Sequence, residues 1–169
     1  ANRLSLLEKI TARKGGKVQK LPDAYEDLHI TKPKNARTYI KIQDGCNRFC
    51  SYCLIPHLRG RSRSRSILDI MQEVDTLAKA GAKEIVLTGI DISDYRIDDQ
   101  PALLELLKQI DVFGVRIRLG SIEPNMLTED FIVGLSQIHN ICPHFHISMQ
   151  SGCTETLKRM NRQYTAEFF

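Results

Sequence analysis

The sequence contains no tryptophan, and only 7% of its 169 residues are aromatic. No run approaches the eighteen or so apolar residues that a membrane-spanning helix needs. Nothing near its start has the order of a signal peptide, a charged stretch followed by an apolar one and then small residues. The cysteines number five, an odd count with three packed into eight positions, which does not suit a secreted, disulfide-stapled framework. A reducing, cytoplasmic setting with no membrane association, and a metal or cluster site, is the expectation. With 42% apolar and 26% charged residues, the composition excludes a disordered chain. The length suits one domain able to bury a core without staples. Because the chain opens on Ala1 and ends inside a helical pattern at Phe169, it is expected to be a stretch of a longer protein.

The net charge of +4 conceals an asymmetry. Residues 1–66 carry 15 basic and 5 acidic side chains, whereas residues 67–169 carry 9 basic and 15 acidic ones. A basic front end on an acidic body points toward a polyanion, nucleic acid first, although a solvated, lysine-rich linker gives the same count. Residues 1–37, with Gly15-Gly16 among several basic residues and Pro33-Lys34-Asn35 further on, have the character of a connector from an upstream domain. Ala1 to Ile10 suits the end of a helix.

From Thr38 the pattern becomes regular. Tyr39–Gln43, Glu84–Thr88, Val115–Leu119 and His144–Gln150 are expected strands. Helices are expected over Ile67–Ala80 (stopped by Gly81), Gln100–Ile110 with Pro101 in the first turn, Thr128 to about Ile138, and from Thr154 onward. Strand and helix in alternation imply parallel strands joined by crossovers. Parallel strands buried on both faces are apolar throughout, yet here apolar and polar residues alternate. In Val115-Arg116-Ile117-Arg118-Leu119 two arginines share one face, and in His144–Gln150 the even positions are His, His, Ser and Gln. One face is therefore expected to cover helices and the other to line a solvated or ligand-filled interior. The fold class is thus α/β, a partial (β/α) barrel of about four parallel strands, incomplete at its C-terminal end. The chemistry of such barrels lies at the carboxyl ends of the strands, where Asp44-Gly45, Thr88-Gly89, Gly120-Ser121 and Gln150-Ser151 fall.

Directly after the first strand comes Cys46-Asn47-Arg48-Phe49-Cys50-Ser51-Tyr52-Cys53, a C-x3-C-x2-C array. Three thiolates this close can wrap one thiophilic centre, either zinc or an iron–sulfur cluster. His57 offers a fourth ligand for a Cys3His zinc site, in which case the chain is a zinc-stabilised RNA-binding module without catalysis. A cluster instead keeps one iron open for a ligand.

The array, with Tyr52 before its third cysteine, resembles the cluster motif of the radical S-adenosylmethionine (SAM) superfamily. Further segments narrow the resemblance to its methylthiotransferase family. They are Ile42-Gln43-Asp44-Gly45-Cys46, Ile55-Pro56, Arg59-Gly60, Leu87-Thr88-Gly89-Ile90, Arg118 to Pro124, Gln150-Ser151-Gly152-Cys153 and Leu157 to Thr165. Cys142 to His146 and Lys158 to Thr165 are most similar to the branch that acts on threonylcarbamoyladenosine at position 37 of transfer RNA (tRNA). The resemblance runs over residues 38–169 and implies the radical SAM core only. It implies that Cys46, Cys50 and Cys53 hold a [4Fe–4S] cluster, and that a second cluster sits on an upstream domain. An external electron donor would reduce the first cluster, whose open iron chelates SAM. Cleavage of a carbon–sulfur bond would then yield a 5′-deoxyadenosyl radical that abstracts hydrogen from C2 of the adenine, which receives a methylthio group. Sister branches act on isopentenyladenosine in tRNA or on an aspartate of a ribosomal protein. Residues 1–169 alone are expected to bind a cluster without turnover.

The resemblance and the strand ends together nominate supporting residues. Tyr52 is expected to contact adenine. Gly89 and Asp91 stand where many members of the superfamily carry a Gly-Gly-Glu run that holds the SAM amino group, a run from which this chain departs, so that Asp91 either takes that role or caps a loop. Ser121 and Glu123 could bind the ribose, though Glu123 could equally pair with Arg116 or Arg118. Gln150 and Ser151 point toward the ligand, and Arg162 is a candidate for gripping the SAM carboxylate. His144 and His146 are expected to be neutral, hydrogen-bonded barrel residues; Cys142 and Cys153 stand outside the site. Arg59, Arg61, Arg63 and Arg65 place four cations in seven residues beside the cysteine loop and are expected to grip the phosphates of a tRNA anticodon loop.

Overall fold

The computed structural model describes residues 29–33 and 35–169; the helix and glycine pair expected before residue 29 lie outside them. The first half comprises β1 (Arg37–Lys41), β2 (Gln43–Asp44), α1 (Ile55–Arg59), β3 (Arg63–Ser64), α2 (Ile67–Lys79) and β4 (Glu84–Thr88). There follow β5 (Arg96–Ile97), β6 (Gln100–Pro101), α3 (Leu103–Asp111), β7 (Arg116–Leu119), β8 (Ser121–Ile122), α4 (Glu129–Ser136), β9 (His146–Ile147) and α5 (Thr154–Arg159).

β1, β4 and β7 pair in parallel, in that order, with Tyr39 opposite Val86 and Val86 opposite Arg118. Just beyond β7, β8 pairs in parallel with β9, and an Ile117–Ile141 bridge precedes that pairing. Four successive parallel segments with flanking helices result, the partial barrel expected from the alternation.

The apolar face of the sheet makes the core. Ile40, Ile85, Leu87 and Ile117 are fully buried against Ile70, Val74 and Leu77 of α2 and Leu106, Leu107 and Ile110 of α3. Each such side chain contributes roughly 1.5–3 kcal/mol relative to exposure. On the opposite face stand Tyr39, Glu84, Arg116 and Arg118; Tyr39 is 58% exposed. The helices begin where the sequence offers a cap. Ser66 accepts a hydrogen bond from the Asp69 amide at 3.2 Å, and Thr128 accepts one from Phe131 at 3.3 Å. Gly134 of α4 lets Leu104 approach so closely that a Cβ would lie 2.3 Å from it.

Several boundaries differ from the expectations. β1 stops at Lys41, and Gln43-Asp44 turns away to pair antiparallel with Arg63-Ser64. Pro101 is not in a helix: it belongs to the hairpin β5–β6, and α3 starts at Leu103. The expected strand His144–Gln150 shrinks to His146–Ile147; beyond it the Met149 amide turns back onto the Ile147 carbonyl, and Gln150 adopts φ +65°. Within the stretch expected to be a linker, His29 pairs with Asp69 at 3.0 Å and the Ile30 amide donates to Glu73 at 2.8 Å, so both are fastened to α2.

Candidate metal centre

The three clustered cysteines lie on one loop whose neck is closed by β2–β3. At Gly45 the chain turns with φ +76°, and a Cβ there would meet the Arg61 carbonyl at 1.9 Å; only glycine fits. The Cys46 amide donates to the Gly60 carbonyl at 3.1 Å, and the Cys53 amide to the Cys50 carbonyl at 2.9 Å. A buried side chain that the site assignments above omit, Gln43, organises the neck. Its amide nitrogen donates to the Gly45 carbonyl and Ser62 hydroxyl, and its oxygen accepts from the Ile90 and Asp91 amides. Gln43 thereby joins the cysteine loop to the end of β4. At Gly89 a Cβ would stand 2.9 Å from the Gln43 carbonyl, so this glycine serves close packing of two backbones. A lone glutamine in a strand gives no sequence signal for such a hub.

A second clamp comes from the far end of the chain. The Ser51 amide donates to the Met160 carbonyl at 3.1 Å, and Asn161 donates to the carbonyls of Arg48 and Phe49. The segment after α5 thus fixes the loop from above.

Charged side chains beneath the loop form a chain. The Arg48 Nε lies 2.5 Å from an Asp91 oxygen and 4.0 Å from Glu123. Glu123 also contacts Arg162, which donates to Cys50 Sγ at 3.2 Å. Asp91, Glu123 and Arg162 are therefore brought together, and Arg48 joins them unforeseen. Glu123 does not pair with Arg116 or Arg118: both of those face Glu84, at 3.3 and 2.6 Å. The other Asp91 oxygen, Oδ1, is buried without a hydrogen-bond partner among the described residues.

Ser121 and His146 form a hydrogen-bonded pair at 2.7 Å on the open face. Tyr52, on the loop itself, is 53% exposed. Gln150 is exposed and the Ser151 hydroxyl accepts from the Cys153 amide. Burial, partly opposed by the Arg48 amide, pushes the Cys46 thiol up.

The carboxylate grip expected of Arg162 is not what the structure builds, since four of its N–H bonds are already committed within the protein. The arginine patch also divides. Arg65 is buried between Asp69 and Glu73, at 2.6 and 2.7 Å, so the phosphate contact expected of it is withdrawn. Arg63 turns inward onto the carbonyls of Arg59 and Arg61. Arg59 pairs with Asp44 at 2.7 Å. Arg61 is exposed, its guanidinium 4.5 Å from the Phe49 ring centroid.

A zinc ion requires its ligand atoms within about 2.0–2.3 Å of one point. Among the described residues no three His, Cys, Asp or Glu side chains gather in that way, and the His57 ring packs edge-on against Phe49 instead. A polynuclear cluster asks for something else, separate soft donors each reaching its own iron. Three thiols on one clamped loop, two of them already accepting N–H hydrogen bonds, fit that demand.

A partial parallel barrel with a three-cysteine loop at its strand ends defines a class, and comparison with known families agrees. The family model for the radical SAM superfamily matches residues 40–169, so the chain belongs to that superfamily, which uses a [4Fe–4S] cluster and SAM. It is similar, at 45% identity over 140 residues, to the threonylcarbamoyladenosine tRNA methylthiotransferase MtaB of Chlamydia pneumoniae, covering 82% of this chain and 33% of that protein. It is 38% identical over 146 residues to a tRNA-2-methylthio-N(6)-dimethylallyladenosine synthase of Clostridium tetani, covering 84% and 32%. The chain thus spans about a third of the length of these curated relatives. In fold it is similar to the radical SAM methyltransferase TsrM of Kitasatospora setae, with TM-score 0.62 and 19% identity over 77% of this chain and 26% of that one. No helix among the described residues is long and apolar enough to cross a membrane.

Proposed function

We propose that this chain is the catalytic core of a methylthiotransferase that converts N6-threonylcarbamoyladenosine at position 37 of tRNA to its 2-methylthio derivative. The observation that carries the proposal is the clamped Cys46–Cys53 loop above an ion-paired rim at the strand ends. Similarity to the Chlamydia relative supports the threonylcarbamoyl branch, and the exposed Arg61 beside the loop supports an RNA substrate.

Cys46, Cys50 and Cys53 would hold the [4Fe–4S] cluster. When bound with SAM, that group supplies the electron for carbon–sulfur cleavage, the step that starts hydrogen abstraction. The protein's own residues bind and orient. The unpartnered Asp91 oxygen is an acceptor for an ammonium group, held in place by Arg48 on the other oxygen. Tyr52 offers its exposed ring to an adenine, and Ser121, Gln150 and Ser151 offer polar atoms along the open face. Gln43 and Gly89 keep the loop and the end of β4 in register. Arg61, stacked on Phe49, would take a backbone phosphate of the anticodon loop. A one-electron donor and an upstream domain with a second cluster complete the proposed enzyme.

Deletion of the gene should remove 2-methylthio-threonylcarbamoyladenosine from the nucleoside profile of cellular tRNA, and a Cys46→Ala copy should fail to restore it. Loss of the methylthio-isopentenyl nucleoside instead would assign the sister branch, which the Clostridium relative favours. An unaltered profile would overturn the proposal.

A further inference from the structure

Arg162 is too enclosed to serve as a ligand grip, and we infer that it raises the reduction potential of the cluster through the Cys50 sulfur. The inference rests on the assignment of Cys46, Cys50 and Cys53 as cluster ligands. Arg162 follows α5, and only 4% of its side chain is exposed. Its Nη1 donates to Cys50 Sγ at 3.2 Å, and its Nη2 donates to the Glu123 carboxylate and, at 3.1 Å, to the Ser148 carbonyl. Its Nε donates to the Tyr164 hydroxyl at 3.3 Å. That hydroxyl is anchored in turn on the carbonyls of Ser148 and Met149, and the Tyr164 ring centroid lies 5.2 Å from the guanidinium carbon. Four of the five N–H bonds a guanidinium has are thus committed, in a geometry locked from three elements.

One of those bonds ends on sulfur. Reduction adds one electron to the cluster, and the added charge spreads over its sulfurs. A permanent cation donating an N–H bond to a ligand sulfur stabilises the reduced form more than the oxidised one, so it raises the potential. Glu123 works in the opposite sense from the far side of the same guanidinium. The nearby Arg48 and Asp91 offset one another, at 2.5 Å. The four charges Arg48, Arg162, Asp91 and Glu123 sum to zero, and removal of Arg162 leaves the rim with one excess negative charge beside Cys50. Arg162 is therefore a positioning residue acting through Cys50 rather than a catalytic one, and it couples the segment after α5 to the redox state of the loop.

The test uses the full-length protein, reconstituted anaerobically with iron and sulfide and titrated with dithionite without SAM. The reduced clusters are followed by electron paramagnetic resonance, the signal that disappears in Cys50→Ala being the one titrated, and iron and sulfide are counted in each variant. Arg162→Gln should lower the ratio of reduced to oxidised cluster about tenfold at a fixed poise, a shift of about 59 mV to more negative potential for a one-electron couple. Arg162→Lys, which keeps the charge and loses the fork, should shift it less in the same direction. Glu123→Gln should shift it to more positive potential. If Arg162→Gln loads no cluster, Glu123→Gln and Arg162→Lys decide. A reduced-to-oxidised ratio within threefold of wild type in loaded Arg162→Gln, or in Glu123→Gln where Arg162→Gln loads no cluster, overturns the inference while the cysteine assignment stands. An iron and sulfide count in Cys50→Ala equal to that of the wild type, the upstream cluster included in both, overturns both.

Discussion

Substituting Arg65 is the sharpest test of how the basic segment is divided between structure and recognition. Its guanidinium lies 2.6 Å from Asp69 and 2.7 Å from Glu73, with side-chain exposures of 1% for Arg65 and Glu73 and 21% for Asp69. It also donates to the Lys41 carbonyl at 3.2 Å, and the Tyr95 hydroxyl donates to the Arg65 carbonyl at 2.7 Å. Arg65→Met leaves Glu73 buried, with only the Ile30 amide at 2.8 Å and the partly exposed His29 at 3.9 Å beside it among the described residues. Removing one partner of a buried pair costs about 3–5 kcal/mol, a large share of the roughly 5–15 kcal/mol that holds a domain together. At roughly 2–4 °C per kcal/mol for a chain of this size, Arg65→Met should lower the melting temperature by about 6–20 °C. Glu73→Gln should cost less, because Asp69 remains on the guanidinium. Replacing Arg65 and Glu73 together by apolar residues of similar volume should recover most of the loss, since the desolvation of both charges disappears with them. Thermal and urea unfolding followed by far-ultraviolet circular dichroism measures all of these; the sequence has no tryptophan to report by fluorescence. Arg65→Met costing under about 1 kcal/mol, or weakening tRNA binding with an unchanged melt, would refute the assignment.

Arg61→Ala should weaken tRNA binding and reduce the slope of log affinity against log salt by about one, with little change in the unfolding midpoint; an unchanged slope would count against a phosphate contact. Alanine at Cys46, Cys50 or Cys53 should each lower the iron and sulfide content of the full-length protein by one cluster's share, and wild-type loading of any one would remove that residue from the ligand set. Gly45→Ala should destabilise the domain by about 1–3 kcal/mol, because its Cβ meets the Arg61 carbonyl at 1.9 Å and its φ is +76°; urea midpoints report it. The hydrogen bond from Arg118, reinforced by Arg37 and Arg116, holds the Glu84 carboxyl below the usual carboxylate range. A folded-state pKa below the unfolded one means that this stabilisation is complete above pH of about 4.3 and is lost as pH falls through the lowered value. Glu84→Gln should accordingly flatten the acid limb of a stability profile taken between pH of about 3 and 6, and an unchanged limb would show that Glu84 does not contribute to it.

What could be known from the sequence depended on the range of the interaction. β4 and α2 were legible because alternation and helical periodicity are local, and Gly81, at φ +90°, ends α2 where the pattern stops. α3 was misplaced because Pro101 suits a first turn equally well as a hairpin edge. The fourth strand was overextended at both ends because alternation runs from His144 to Gln150 although the backbone pairs as a strand only over His146–Ile147. The arginines were the least legible. Arg61, Arg63 and Arg65 look alike in sequence, yet β3 and the neck of the loop send one out and two in.

The sequence by itself determined the alternation of strand and helix, the polar inner face and the spacing of the three clustered cysteines, because each of these is set by neighbours within a few positions. Only the tertiary structure decided which charges neutralise one another. Arg48 meets Asp91 43 residues away, and Arg162 meets Glu123 39 and Cys50 112 residues away. Coulombic and hydrogen-bond partners are chosen by distance through space, which the fold creates and no local pattern encodes.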